Sequence, residues 1–349
     1  MEIKSLIGKF SNLYSAMKKC KRGVMWKTST ANFVLHGLIR CLKLRKSLFK
    51  GSYKISKYSI FEIFEPKHRK IVSTRIKDRV FQRSLCDNYL TKEITKSFIY
   101  DNAACQVGKG TDFARKRLKC LMQRYFRKHG LKGYVLKCDI HDYFGSTPHD
   151  IAAKAVRKCI SDDWAYAETK RIIDSFNQGE NSEVGMGLGS QVTQLIELAV
   201  LDDLDHYIKE QLRIKPYVRY MDDFILIHED KNYLKHCLSE ITAKINELGL
   251  TLNTKKTQIF PITQPIHFLG FSFQLTSTGK VVMKLLPEKV THEKHKLKRQ
   301  LKLVRKGQMT LEQVDRCFES WVAHASKGDC YGLIKSMTKY YNNLKTQLT

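Results

Sequence analysis

The run Pro216-Tyr-Val-Arg-Tyr-Met-Asp222-Asp223-Phe-Ile-Leu-Ile-His228 sets two adjacent carboxylates between two β-prone apolar segments. Acids are costly in such a setting unless cations compensate them. A hairpin with the acids at its tip satisfies both the pattern and the charge. Upstream, Tyr134-Val-Leu-Lys-Cys-Asp139-Ile-His-Asp142-Tyr-Phe144 reads as a second apolar strand ending in carboxylate. Placed side by side, these strands would bring Asp139, Asp222 and Asp223 together. Three carboxylates are the minimum for two divalent ions beside a phosphate; a solvated turn at Asp222-Asp223, with Asp139 capping the helix that follows, is the plainer alternative.

Charge narrows the partners. The 349 residues carry 62 Lys and Arg against 34 Asp and Glu, a net charge of +28. An excess of that size points to a polyanion, most simply nucleic acid. Hydrophobic residues make up 42% of the chain, enough for a sizeable core. No run of about 18 apolar residues is present, so no membrane span is expected. The N-terminus lacks the apolar stretch of a secretory signal. Ten cysteines are scattered without a CxxC pair. Neither a zinc knuckle nor a disulfide framework follows, and a reducing cytoplasm is the simplest setting.

The organisation expected is one continuous α+β body with helical ends. Residues 1–50 read as a basic helical extension, with fourteen Lys or Arg in the first 57 residues and Glu2 the only acid. From Ser29, Phe33, Leu38, Leu42 and Leu48 are spaced as on one helix face. A hairpin over 53–74, turning at Pro66-Lys67-His68, and helices at 77–96 and 112–129 complete a block ending at 132. Residues 133–284 hold the two carboxylate strands. They also hold helices from Pro148 and Asp162, a glycine-rich segment at 185–194 leading into a helix to Leu212, a helix over 231–248 and a hairpin near Phe268-Leu269-Gly270. From 285 the chain turns helical, with Lys294, Lys298, Lys302 and Lys306 on one stripe and Val290, Leu297, Leu301 and Val304 on another.

The candidate site grows from these parts. Magnesium takes oxygen ligands and keeps several waters, so carboxylates suffice and the Ile140 carbonyl can add one oxygen; manganese is a possible substitute. Phe144, just past the strand end beside Asp142 and Tyr143, could lie under a sugar and leave no room for a 2′-hydroxyl. Ordinary core packing is the plainer role for that ring. Arg69, Lys70 and Lys109 are candidates for a triphosphate. Gln191 and Gln194 share a helix face behind the glycines and could meet a base pair. Lys256 could hold a leaving pyrophosphate, and the Lys294–Lys306 stripe could grip a duplex. A solvated face is the alternative for each of these lysines.

Together these runs resemble reverse transcriptases over roughly residues 53–345. Tyr220-Met221-Asp222-Asp223 looks like their YxDD signature, and Asp139 to Phe144 like the motif of the first aspartate and the sugar gate. Leu250-Thr-Leu-Asn-Thr-Lys-Lys256-Thr is similar to the lysine motif, and Phe268-Leu269-Gly270 to the primer grip. Arg69-Lys70-Ile and Asp78-Arg79 resemble the bacterial branch related to group II introns. Within it, Gly185-Met-Gly-Leu188-Gly-Ser-Gln-Val-Thr193-Gln194, Tyr100 to Thr111 and Ser320-Trp321-Val-Ala-His324-Ala look like diversity-generating retroelement enzymes. Gly187 stands where that branch usually has Pro.

The resemblance implies a right hand of fingers (51–132), palm (133–284) and thumb (285–349) that copies template RNA into cDNA from dNTPs. The narrower match implies errors at template adenines, Leu188 beside the templating pair, and a small basic accessory protein. Other bacterial reverse transcriptases, including phage-defence enzymes, and an inactive RNA-binding scaffold are the rival readings.

Overall fold

A strand buried on both faces should be apolar at consecutive positions, and the central strands are. In β3 (Tyr134–Asp139), Leu136 and Cys138 face one core while Val135 faces another. In β5 (Asp223–His228), Phe224 and Leu226 face the first, and Ile225 and Ile227 the second. The computed structural model in which this is seen describes residues 2–64, 68–176, 183–187 and 189–347.

The chain opens with α1 (Ile3–Ile7), α2 (Phe10–Cys20), α3 (Thr28–Leu35) and α4 (Gly37–Phe49). The hairpin β1 (Ser59–Ile63) and β2 (Arg69–Ser73) follows. Next come α5 (Ile76–Leu85), a π turn at Cys86–Leu90, α6 (Thr91–Thr95) and α7 (Thr111–His129). After β3 lie α8 (Tyr143–Ser146), α9 (His149–Cys159), α10 (Asp163–Asp174), α11 (Gln191–Val200) and α12 (Asp202–His206), then a π turn at Tyr207–Gln211. β4 (Tyr217–Tyr220), β5, α13 (Lys231–Glu247) and β6 (Gln258–Pro261) complete the central block. β7 (Ile266–Phe268), β8 (Phe271–Leu275) and β9 (Val281–Leu285) precede α14 (Pro287–Arg305), α15 (Leu311–Ala325) and α16 (Tyr331–Thr346).

The central sheet has the order β4-β5-β3-β6, every pair antiparallel. One face carries the first core, under α9, α11 and α13, with the N-terminal helices packed onto α5. The other face carries α7, the separate sheet β7-β8-β9 and the three C-terminal helices. The expected α+β class and the alternation of elements hold, and all ten cysteines are free thiols. No helix among the described residues is long and apolar enough to cross a membrane.

Three expectations need correction. The stripe from Phe33 to Leu48 is not one helix face: the helix breaks at His36, Phe33 and Leu48 are buried, and Leu38 and Leu42 are exposed. Residues 53–58 are not strand. Tyr53 turns inward instead, its hydroxyl donating to Asp78 Oδ1 at 2.7 Å. The helix expected to reach Leu212 is interrupted at Leu201 and ends in a π turn. The hairpin expected near Phe268-Leu269-Gly270 is present as β7–β8 and forms a separate sheet with β9. The predicted turn at 66–68 lies partly outside the described residues.

Candidate active site

The β3–β5 register pairs Asp139 directly with Asp223. Directly opposed residues in an antiparallel pair have Cα atoms about 4.5–5.5 Å apart. On the other side of β5, Tyr220 pairs with Asp223, and Met221-Asp222 close the hairpin. Met221 holds φ +57, a left-handed conformation unusual for a side chain with a β-carbon. Its carbonyl accepts from Arg219 Nη1 at 3.0 Å. Arg219 is fully buried and grips Asp205 with two nitrogens, at 2.7 and 2.6 Å. A buried bidentate ion pair therefore braces the strained turn that presents the acids.

Two lysines neutralise the opposed carboxylates. Lys256 Nζ lies 2.6 and 2.8 Å from the two oxygens of Asp139. Lys137 Nζ lies 3.6 Å from Asp223 Oδ2 and donates to the His267 carbonyl at 2.6 Å. Asp223 Oδ1 is buried with no hydrogen-bond partner among the described residues. Burial, then the negative Asp139 and Asp222, push the Asp223 carboxyl up to about 7 against the pull of Lys137.

No three His, Cys, Asp or Glu side chains among the described residues form a ready cage for an ion. Magnesium does not need one, because it is usually held by one or two carboxylates with waters and substrate phosphates. The donors fit such an ion: hard oxygens, one of them orphaned, with an ammonium standing where a cation would balance Asp139. The antiparallel bridge of Ile140 with Leu252 uses the Asp139 carbonyl and the His141 amide, leaving the Ile140 carbonyl outside it.

The floor of the site is the 142–147 turn. Asp142 sits at φ +40 and its carboxylate lies against Gly145, where a β-carbon would be 2.2 Å from Oδ2. Met186 N donates to the Phe144 carbonyl at 2.6 Å, and Gly185 N to Thr147. Here the glycine-rich segment meets the turn backbone to backbone. A β-carbon on Gly185 would sit 2.9 Å from the Gly145 carbonyl, and one on Gly187 would strike the Phe176 ring. Phe144 is half-buried, edge-on to the buried Tyr143. Below them Glu197 is fully buried. The Thr147 hydroxyl lies 2.9 Å from Glu197 Oε2, while Oε1 finds no partner among the described residues. Burial, chiefly, and nearby Asp222 push this carboxyl up to about 8.

Other candidates lie at varied distances from the acids. Arg69 and Lys70 open β2, paired with Ile63 and Glu62. Leu188 lies outside the described residues. Gln194, half-buried, accepts from Cys105 Sγ at 3.4 Å. The Lys109 ammonium donates to the Tyr100 and Asn102 carbonyls, both at 2.9 Å, and so clips its own loop. Phe268 is 1% exposed and belongs to the second core. The turn after it is half-buried. There Leu269 and Gly270 both have positive φ, and the Leu269 carbonyl accepts from Arg115. Lys294, Lys298 and Lys302 are exposed on α14, while Leu297 and Leu301 are buried, as their spacing predicts. Lys294 also lies over the Tyr340 ring.

The residues missed from the sequence are Lys137, Glu197 and the Arg219–Asp205 pair. A lone charge inside an apolar strand or helix was the available signal.

An antiparallel sheet with carboxylates at adjoining strand ends, flanked by helical blocks, is the right-hand polymerase fold. Solved structures of similar fold include apo telomerase from Candida tropicalis (TM-score 0.53, 12% identity, 82% of this chain and 62% of that one). Another is telomerase from Candida albicans with a fragment of telomeric RNA (TM-score 0.51, 14% identity, 83% and 58%). Residues 57–273 match the family described as reverse transcriptase (RNA-dependent DNA polymerase), and the chain belongs to it. A putative COX1/OXI3 intron 2 protein of Saccharomyces cerevisiae is 23% identical across 75% of this chain, which spans 37% of that protein's length.

Proposed function

We propose that the chain synthesises DNA on an RNA template by two-metal phosphoryl transfer. The pairing of Asp139 with Asp223 at adjoining strand ends, beside Asp222, carries this reading. Bound magnesium would lower the pKa of the primer 3′-hydroxyl and neutralise the leaving pyrophosphate. Asp139, Asp222, Asp223 and the Ile140 carbonyl would supply its protein oxygens. Lys256, freed from Asp139, would turn to the pyrophosphate. Arg69 and Lys70 on the β1–β2 hairpin would meet the triphosphate. Asp142, Tyr143 and Phe144 would seat the sugar and exclude a 2′-hydroxyl. Gln194 and Leu188 would line the nascent pair. Tyr220, Met221, the Leu269-Gly270 turn and Lys294, Lys298 and Lys302 would hold the RNA–DNA hybrid.

Incorporation of dNTPs on a primed RNA template with Mg²⁺ tests this. Activity should vanish in Asp222→Ala while folding is kept; a folded Asp222→Ala protein that still incorporates would overturn the assignment. The motifs at 100–111, 185–194 and 320–325 support a narrower reading, a diversity-generating retroelement enzyme that misreads adenine and works with a basic accessory protein. Leu188 cannot hydrogen-bond beside a template base, which is a physical route to loose selection. Sequencing cDNA from Leu188→Gln should show fewer errors at adenine, and an unchanged spectrum refutes the narrower reading.

A further inference from the structure

At the end of β5 far from the acids, the C-terminal half of α7 and the turn before β4 enclose a cavity of about 730 Å³. It opens at the β4 edge of the central sheet, and none of the three catalytic aspartates lines it. Five residues of strand separate it from Asp223, roughly 17 Å. Leu121, Ile214 and Ile227 form an apolar floor, and Arg124, Arg127, Lys128, Arg213 and Lys215 stand around it. All five cations are exposed, and none of them makes an ion pair among the described residues. By contrast, Arg117 at the same cavity is paired with Asp101, and the one acid of the lining, Glu229, is paired with His129 at 2.6 Å.

We propose that this cavity is a second nucleic-acid site, one that anchors the phosphate backbone of the RNA away from the catalytic carboxylates. Unpaired like charges crowded in one groove are unfavourable unless an anion joins them. The unpaired cations of α7, from residue 124 to 128, span about 6 Å of helix, and Arg213 and Lys215 face the same cavity from the turn before β4, so the set offers more contacts than one small anion fills. Three of the five unpaired cations are arginines, whose planar forks suit phosphate oxygens. An anchor here would hold a long template while its copied end moves through the cleft.

The test uses the full chain carrying Asp222→Ala, so that binding is read without catalysis and independently of the polymerase reading. The probe is a hairpin RNA with a single-stranded tail, and its Kd is measured against KCl concentration. The groove variant is Arg124→Ala/Arg127→Ala/Lys128→Ala/Arg213→Ala. A charge-matched control, Lys154→Ala/Lys158→Ala/Lys170→Ala/Lys235→Ala, removes exposed lysines elsewhere. Each lost phosphate contact should lower the log–log salt slope by about 0.7–0.9, so the groove variant should lose about three units and bind roughly 10- to 100-fold more weakly. The control should lose less than one unit. Equal losses in both variants would overturn the proposal. So would binding of polyglutamate to the groove with no effect of the substitutions on RNA. Thermal melting verifies that both variants fold.

Discussion

Asp139 and Asp223 are cross-strand neighbours in one antiparallel ladder, yet each carboxylate is turned to its own lysine, Lys256 and Lys137. Two acids in this position repel each other and cost stability unless a cation joins them. Asp223→Asn should therefore keep or raise the melting midpoint by a few degrees while removing a proposed metal ligand. Losing several kcal/mol of charge stabilisation corresponds to a drop of about 10³-fold in turnover. Scanning calorimetry beside single-turnover incorporation checks both arms. A variant that melts early would mean the carboxylate is structural.

Lys256 competes with any cation for Asp139, since its ammonium already contacts both oxygens. Lys256→Met should tighten binding of Mn²⁺ to the substrate-free protein about threefold to tenfold, because a nearby positive charge is gone. The same change should slow incorporation, as pyrophosphate loses a partner. Calorimetric titration and rapid-quench kinetics separate the two effects. Weaker Mn²⁺ binding would contradict the competition.

The Arg219–Asp205 pair is completely buried, so breaking it strands a charge. Asp205→Asn or Arg219→Met alone should cost about 3–5 kcal/mol, and Arg219→Met/Asp205→Leu should recover much of that. Arg219 also holds the Met221 carbonyl. The double variant should thus stay folded with a lower kcat and unchanged affinity for primer–template. Restored kcat in that variant would show that the turn does not need its brace.

Phe144 lies on the 142–147 turn, its carbonyl fixed by Met186. Phe144→Ala should open space next to the sugar and reduce the preference for dNTPs over NTPs by about 10- to 100-fold. Competition between dGTP and GTP in primer extension measures it. Unaltered selectivity would leave the ring as core packing.

Periodicity carried most of the fold. Strand runs at 134–139 and 223–228 alternate between two cores, and the spacing of Leu297 and Leu301 separates the buried stripe of α14 from its lysines. Adjacent acids at a hairpin tip also suit a plain solvated turn, and it was the second strand-end acid, Asp139, that turned the reading towards a metal site. What stayed hidden depends on contacts between distant segments. Lys137 and Arg219 sit in apolar strands, and only pairing with Asp223 and Asp205 explains their charge. At Gly187 a β-carbon would strike the Phe176 ring, a contact between segments distant in sequence. Exposed Leu38 and Leu42 misled the pattern, because hydrophobic spacing does not say whether a partner face exists.

Glu197 gives the site a pH signature. Its folded carboxyl is raised to about 8, first by burial and then by Asp222, against the pull of the Thr147 hydrogen bond. In the unfolded chain it titrates near the ordinary value of about 4.3. Between these limits the folded protein keeps a proton that the unfolded chain has lost. Its stability therefore falls as pH rises through that window, and is flat below and above it. Glu197→Gln mimics the protonated form and removes the slope. The variant should melt close to the parent near pH 5 and about 5 °C above it near pH 8. Parallel melting curves across that range check the sign. If the gap does not widen with pH, Glu197 is not holding its proton in the folded protein.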